Sequence, residues 1–208
     1  MNAMDTLGRL RQLHVPAATT ADAAAVLDVS IDAASQMLRR LARAGLVAPV
    51  RKGLWALTDH PDPLALAEYV TAPYPSYVSL QSALYLHGMI EQVPAMTYLV
   101  SLSRSGRVDT HLGTYSVHHV QPQFFDGFEH RPETGLKLAT PEKALVDFFY
   151  LSPARSRLFA ALPELELPRG FSESTARAWV RRVPSDRLRT IAARKLVEAL
   201  IRATLAAS

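Results

Sequence analysis

Between positions 30 and 43 the chain carries Ser30, Asp32, Ser35, Gln36, Arg39, Arg40 and Arg43, a close run of hydroxyl, amide, carboxylate and guanidinium groups. Their chemistry is recognition rather than bond-making. Arg and Gln offer paired hydrogen bonds to base edges, and Ser, Arg and Lys reach phosphate oxygens. Spacing matters as much as type. At about 100° per residue, Asp32, Ser35, Gln36, Arg39, Arg40 and Arg43 share one face of a helix. Ile31, Ala34, Met37, Leu38, Leu41, Ala42 and Ala44 occupy the other, with Ala33 alone intruding on the polar side. Arg51 and Lys52 follow at a Gly53 turn between two short apolar runs. Ser35, Gln36, Arg39 and Arg40 are the candidates for base contacts. Arg43, Arg51 and Lys52 are the candidates for phosphates, with Ser30 as helix cap and further contact.

Catalytic constellations are poor by comparison. Cysteine is absent, which excludes disulfides, thiol catalysis and Cys-ligated metals. His118 and His119 are adjacent, and neighbours on a strand point to opposite faces, so they do not chelate one ion. His111 and His119 have an even spacing that would let them share a face if Gly113 preserved the register. No Walker loop, GxGxxG, HExxH or GxSxG is present. A metal-dependent nuclease would have to assemble Asp109, Asp126 and Glu129 with Lys137. A ligand-sensing domain could line a pocket with Tyr74, Tyr77, Phe124, Phe125, Phe148, Phe149 and Tyr150. Loop carboxylates and an aromatic core are the plainer readings of both sets. No catalytic residue, metal or cofactor is expected.

The elements that must position the polar helix read clearly. Leu7, Leu10 and Leu13 define a short helix from about Met4 to His14, stopped by Pro16. Thr20 is placed to cap an alanine-rich helix, Ala21 to Leu27, with Asp22 in its first turn. Asp28-Val29-Ser30 makes a tight turn, and Ser30 caps the helix Ile31 to Ala44, which Gly45 ends. Two extended runs, Leu46–Val50 and Leu54–Leu57, flank the basic turn as a hairpin. Helix, helix, tight turn, polar-faced helix and basic hairpin is the outline of a winged helix-turn-helix, whose third helix fits a major groove. A solvated helix face and a protein-docking module are the competing readings.

Charge is distributed unevenly. The 208 residues carry a formal net charge of +4, with Arg supplying 19 of the 23 cations. Residues 1–60 hold seven cations and five anions, residues 61–136 three and seven, and residues 137–208 thirteen and seven. Basic ends around an acidic middle suit two polyanion-facing surfaces. No apolar run nears the ~20 residues of a membrane span and no signal pattern opens the chain, so a cytoplasmic protein with no membrane association is expected.

Beyond Asp59–Pro63, which reads as a linker, the pattern mixes helices and strands. Leu64 to Thr71 reads as a helix. Ser79 or Ser76 is placed to cap a second, which runs through Leu80, Ala83, Leu84 and Leu86 to Gly88. Thr97–Ser103, Thr114–Val120 and Gly135–Ala139 read as strands. Thr140 caps a strongly apolar helix, Glu142 to Leu151, with Pro141 in its first turn. Glu173 to Arg182 and Asp186 to Ala203 read as basic C-terminal helices. Their arginines decorate either a solvated face or an extension of a phosphate-tracking surface.

Two blocks carry a resemblance. Tyr77-Val78-Ser79-Leu80-Gln81-Ser82-Ala83-Leu84-Tyr85-Leu86-His87-Gly88 is followed by Gln92 and Pro94. Downstream comes Leu138-Ala139-Thr140-Pro141-Glu142-Lys143-Ala144-Leu145-Val146-Asp147. With the N-terminal module, residues 4 to 151 resemble the AbiEi family, antitoxins of type IV toxin–antitoxin systems that also regulate transcription. The resemblance implies repression of the protein's own operon at inverted repeats and neutralisation of a nucleotidyltransferase-like toxin without an obligatory tight complex. It carries over no residue for the antitoxin role. Ala83, Leu84, Ala144 and Leu145 are core types, Gly88 ends a helix and Glu142 begins one.

The expectation is therefore an α+β protein, with a winged helix-turn-helix over residues 1–60 and a mixed α/β, AbiEi-like domain with basic C-terminal helices over 61–208. It is expected to be a DNA-binding autorepressor of double-stranded operator DNA and not an enzyme, a monomer or weak dimer that pairs on DNA. The resemblance implies that it is also an antitoxin, with the toxin a functional partner. The alternatives are a stand-alone winged-helix regulator with a ligand- or protein-binding second domain and, remotely, the nuclease.

Overall fold

The computed structural model describes residues 2–132, 134–151 and 165–206. Asn2 opens the first helix by accepting the Asp5 N–H at 2.8 Å, and α1 runs Ala3–Arg11. The second helix, α2 (Thr20–Leu27), is capped by Thr19 and not by Thr20. Thr19 is the better cap because it makes a reciprocal pair. Its Oγ1 accepts the Asp22 N–H at 3.1 Å, and the Asp22 carboxylate accepts the Thr19 N–H at 2.8 Å. Asp28 closes α2 in the left-handed conformation, φ 55°. Ser30 then caps α3 (Ile31–Arg43) by accepting the Ala33 N–H at 3.2 Å, and Gly45 follows at φ 68°.

Three short strands complete this part: β1 (Ala17–Thr19), β2 (Ala48–Arg51) and β3 (Leu54–Ala56), antiparallel in the order β1-β3-β2. The strand β1 is not evident from the sequence. Burial of this sheet is two-sided. Leu57 and Trp55 pack with Leu7, Leu10, Leu38 and Leu41 of the helices. Val50, Leu54 and Ala56 belong instead to the large core of the remaining chain. Alternate residues of β3 therefore serve two cores, which is why Leu54-Trp55-Ala56-Leu57 reads as one unbroken apolar run.

The large core is built on a six-stranded sheet. After α4 (Ala67–Thr71) come β4 (Ser76–Val78), α5 (Leu80–Leu86), β5 (Thr97–Ser101), β6 (Gly106–Thr110) and β7 (Gly113–His119). A short 3-10 turn, Pro122–Phe124, leads to β8 (Phe128–Arg131) and β9 (Leu136–Ala139). The strand order is β6-β7-β5-β4-β9-β8, with parallel pairing at β5–β7 and β4–β9. The helix α6 (Pro141–Leu151) follows β9. Positions 142 to 149 of it are all buried, as its unbroken apolar pattern requires. The helices α7 (Glu173–Arg181) and α8 (Asp186–Ala206) pack on α6. The architecture is α+β, with eight α-helices and two sheets among the described residues. No helix among them is long and apolar enough to cross a membrane.

Candidate nucleic-acid interface

The two-faced helix α3 is held at several points. Ala34, Leu38 and Leu41 are buried beneath it. Arg9, on α1, donates to the Val26 and Leu27 carbonyls at 2.7 and 3.3 Å. These are last-turn acceptors of α2 that the helix itself leaves open, so Arg9 ties α1 to the turn that aims α3. Sequence reasoning missed this role, and an arginine on the first helix was its only signal.

On the outward face Gln36, Arg39, Arg40 and Arg43 are exposed and Ser35 is half-buried. Ser30 spends an acceptor lone pair on its cap and remains exposed. Asp32 makes the first turn of α3 acidic, whereas Arg40 and Arg43 make the last turn basic. The positive potential is thus concentrated over the final two turns. Arg51 and Lys52 are exposed at the tip of the β2–β3 hairpin. Among the described residues none of Arg39, Arg40, Arg43, Arg51 and Lys52 pairs with a carboxylate, whereas Arg107, Arg177, Arg182 and Arg189 do.

The hairpin is anchored on both sides. The Thr20 N–H donates to the Gly53 carbonyl at 2.9 Å, and Trp55 Nε1–H to Thr20 Oγ1 at 3.0 Å. Across the other edge the His111 N–H donates to the Val50 carbonyl at 3.1 Å. Gly53 turns the chain at φ 78°, a region open to glycine without strain.

No protein-family model and no curated protein matches the chain.

The residues weighed for catalysis do not assemble. Asp109 on β6 is held by Arg107 at 2.8 Å and by the Thr114 hydroxyl at 2.8 Å. Asp126 pairs with Arg182 at 3.1 Å, and Lys137 with Glu68 at 2.7 Å. Asp109 and Glu129 lie on opposite edge strands, β6 and β8. The four strands between them imply a separation of about 24 Å. His111 and His119 sit at opposite ends of the β6–β7 hairpin, roughly 20 Å apart at strand rise. The even spacing therefore brings no shared site. His118 is half-buried, stacked on Tyr98 at 6.2 Å and hydrogen-bonded through Nε2 to Ser116 Oγ at 2.9 Å. Burial pushes its pKa down to about 4. Among the described residues no three His, Asp or Glu side chains are grouped to hold a metal.

The aromatic residues fill space rather than line it. Tyr77 stacks with Phe128 at 4.8 Å, and Phe124 meets Tyr150 at 5.0 Å and Trp179 at 6.1 Å. Phe148 and Phe149 are buried, while Tyr74 stands exposed on the surface. Lys143 is wholly buried among Tyr77, Phe124 and Trp179, with Nζ 4.2 Å from the Phe124 ring centroid. Lys143 forms an ion pair with Asp147 and donates to the Tyr77 hydroxyl at 2.7 Å. Tyr77 and Ser79 donate to the Asp147 carboxylate at 3.0 and 2.8 Å. Burial draws the Lys143 ammonium below its ordinary range and Asp147 opposes that shift. Burial together with Asp147 raises Tyr77.

Ser79 does precede α5, yet its hydroxyl serves Asp147 and not the helix end, and Ser76 donates to the Ala67 carbonyl at 3.2 Å. Neither provides the side-chain cap expected of it.

The basic character of the C-terminal helices is partly neutralised in place. Arg177 pairs with Glu173, Arg182 with Asp126, Arg189 with Asp186 and Arg194 with Glu198. Arg181, Arg187 and Arg202 are exposed without a carboxylate partner among the described residues.

Proposed function

We propose that the protein is a cytoplasmic, sequence-specific DNA-binding repressor whose first sixty residues act as a winged helix-turn-helix. The observation that carries this reading is the set of five exposed cations without carboxylate partners among the described residues, three on the outward face of α3 and two on the adjoining hairpin tip. Elsewhere Arg107, Arg177, Arg182 and Arg194 are matched by acids within 4 Å, whereas Arg181, Arg187 and Arg202 of the C-terminal helices are not matched among the described residues. Unmatched guanidinium groups on a rigid, capped helix are suited to phosphates and guanine edges. In this reading α3 enters the major groove with Ser35, Gln36, Arg39 and Arg40 toward the bases. Arg43, Arg51 and Lys52 hold the flanking phosphates, Ser30 holds the helix start, and the tight turn at Asp28 sets the angle between α2 and α3.

The antitoxin part rests on the resemblance of the two sequence blocks to the AbiEi family. Supporting it is a relation within the fold: Tyr77 and Ser79 from one block meet Lys143 and Asp147 from the other in one buried cluster. The operator is then the region upstream of the protein's own gene, and a nucleotidyltransferase-like toxin is the functional partner.

The decisive experiment is fluorescence anisotropy of the full chain on that upstream duplex and on a scrambled duplex of equal length, across a salt series. A preference of about 10³-fold that survives moderate salt is the expected result. Equal, salt-labile binding to both duplexes refutes sequence-specific repression.

A further inference from the structure

The outer face of α8 presents Val197, Ile201 and Leu205, 37%, 56% and 72% exposed, at successive four-residue intervals. Most large apolar side chains of the described residues are buried, so three in a row on one surface line require a reason. They form a ridge of the i±4 type, and beside it runs a groove of about 320 Å³. The groove is bounded by Glu173 and Arg177 of α7 and by Val197, Leu200, Ile201 and Leu205 of α8. A ridge beside a groove is the pair of features that helix-on-helix packing uses.

The flanking charges say which helix fits. Glu198 and Arg202 lie on the same side of the ridge, four residues apart. Arg194 reaches Glu198 only at 3.7 Å, and Arg202 has no carboxylate partner among the described residues. A two-fold axis perpendicular to α8 at the level of Leu200 brings like flanks of two antiparallel helices together. At a rise of about 1.5 Å per residue, Glu198 then lies level with Arg202 of the second copy, and the reverse pair forms by symmetry. The same axis interleaves the apolar residues of the two copies at steps of about 3 Å, in the order Leu205, Val197, Ile201 and back.

We infer that the α7–α8 face is a homodimer surface on which a second copy of this chain seats its own ridge. The patch is small, so association is weak in isolation, with a dissociation constant on the order of 10–100 μM. This inference is independent of DNA binding.

Sedimentation velocity of the full chain without DNA, from about 1 to about 300 μM, tests it. The expected result is a concentration-dependent shift from monomer to dimer. Ile201→Arg should leave the protein folded by circular dichroism and monomeric throughout. Arg202→Glu, which sets two acids against each other, should weaken association about tenfold or more, and adding Glu198→Arg should restore it. A wild-type chain that stays monomeric at the highest concentration overturns the inference. So does an Ile201→Arg variant that dimerises unchanged, or a charge-swapped double variant no better than the single one.

Discussion

Lys143 and Asp147 stand one turn apart on α6 and form an ion pair from which solvent is wholly excluded. Two hydroxyls from the β4 segment, Tyr77 and Ser79, complete the hydrogen bonding of the carboxylate. The pair therefore rivets the central helix to the middle of the sheet. A buried pair tolerates the loss of one partner poorly, because the other charge stays in the interior. Lys143→Met should cost about 3–5 kcal/mol in urea unfolding. Adding Asp147→Leu should recover part of that loss, since no uncompensated charge then remains while Tyr77 and Ser79 lose their acceptor. A double variant less stable than Lys143→Met would show that the hydroxyl contacts outweigh the charge.

Gly127 occupies a position that only glycine can fill, for two separate reasons. Its φ is 79°, and a Cβ there would overlap the Trp179 ring and the Lys143 stem. Its carbonyl accepts the Thr140 N–H at 3.0 Å, so the segment cannot shift away freely. Gly127→Ala should destabilise the protein by about 3 kcal/mol, conformational strain and overpacking together. Gly135 shares the positive φ, 68°, but has open space around it. Gly135→Ala should cost only about 1 kcal/mol. Equal melting-temperature losses in the two variants would remove the packing half of the argument.

The helices were legible wherever a 3.6-residue period and a cap coincide. α3 is the clearest case, with Ser30 and Gly45 marking its ends, and Thr140 and Pro141 announce α6 in the same way. Strands that the sequence hides are short or lie at sheet edges. β1 is Ala-Ala-Thr, with little strand propensity, and is fixed by pairing with β3 across some forty residues. β6 and β8 are edge strands whose polar residues break any alternation. The Lys143 cluster was illegible for a different reason. Its partners meet only because β4 pairs with β9, sixty residues away, and helix periodicity carries no such information. The one local hint was a Lys and an Asp at i and i+4 inside a helix with no polar face. The reading of residues 1–60 as a unit tied on by a linker likewise omits the second face of β3, which only the folded chain reveals.

His118 gives a pH dependence of definite sign. Its folded pKa is about 4 because burial disfavours the imidazolium, against about 6.5 in the unfolded chain. The folded state thus binds fewer protons between these values. Stability is fully present above about pH 6.5 and is lost as pH falls toward 4, by at most about 3 kcal/mol and by less to the extent that the ring is half-exposed. His118→Gln keeps a donor near Ser116 and removes the titration. The difference in urea midpoint between wild type and variant should therefore change with pH over this window and be flat above it. A difference independent of pH would mean that the ring is readily protonated in the folded protein.

The interface proposal separates contact from positioning through three variants. Arg39→Ala removes a guanidinium suited to a guanine edge and should cost about 1–3 kcal/mol on the cognate duplex, with relaxed preference at that base. Lys52→Ala removes a hairpin phosphate contact and should weaken every duplex alike, lowering the salt slope by about one. Arg9 makes no contact of either kind in this arrangement; it holds the Val26 and Leu27 carbonyls and so sets the angle of α3. Arg9→Ala should therefore lower affinity for the cognate duplex more than for the scrambled one while leaving the salt slope unchanged. Anisotropy titrations at several salt concentrations read all three effects. Unchanged affinity in both Arg39→Ala and Lys52→Ala would remove α3 and the hairpin as the DNA-binding surface. A reduced salt slope in Arg9→Ala would make Arg9 a phosphate contact and not a brace for the turn.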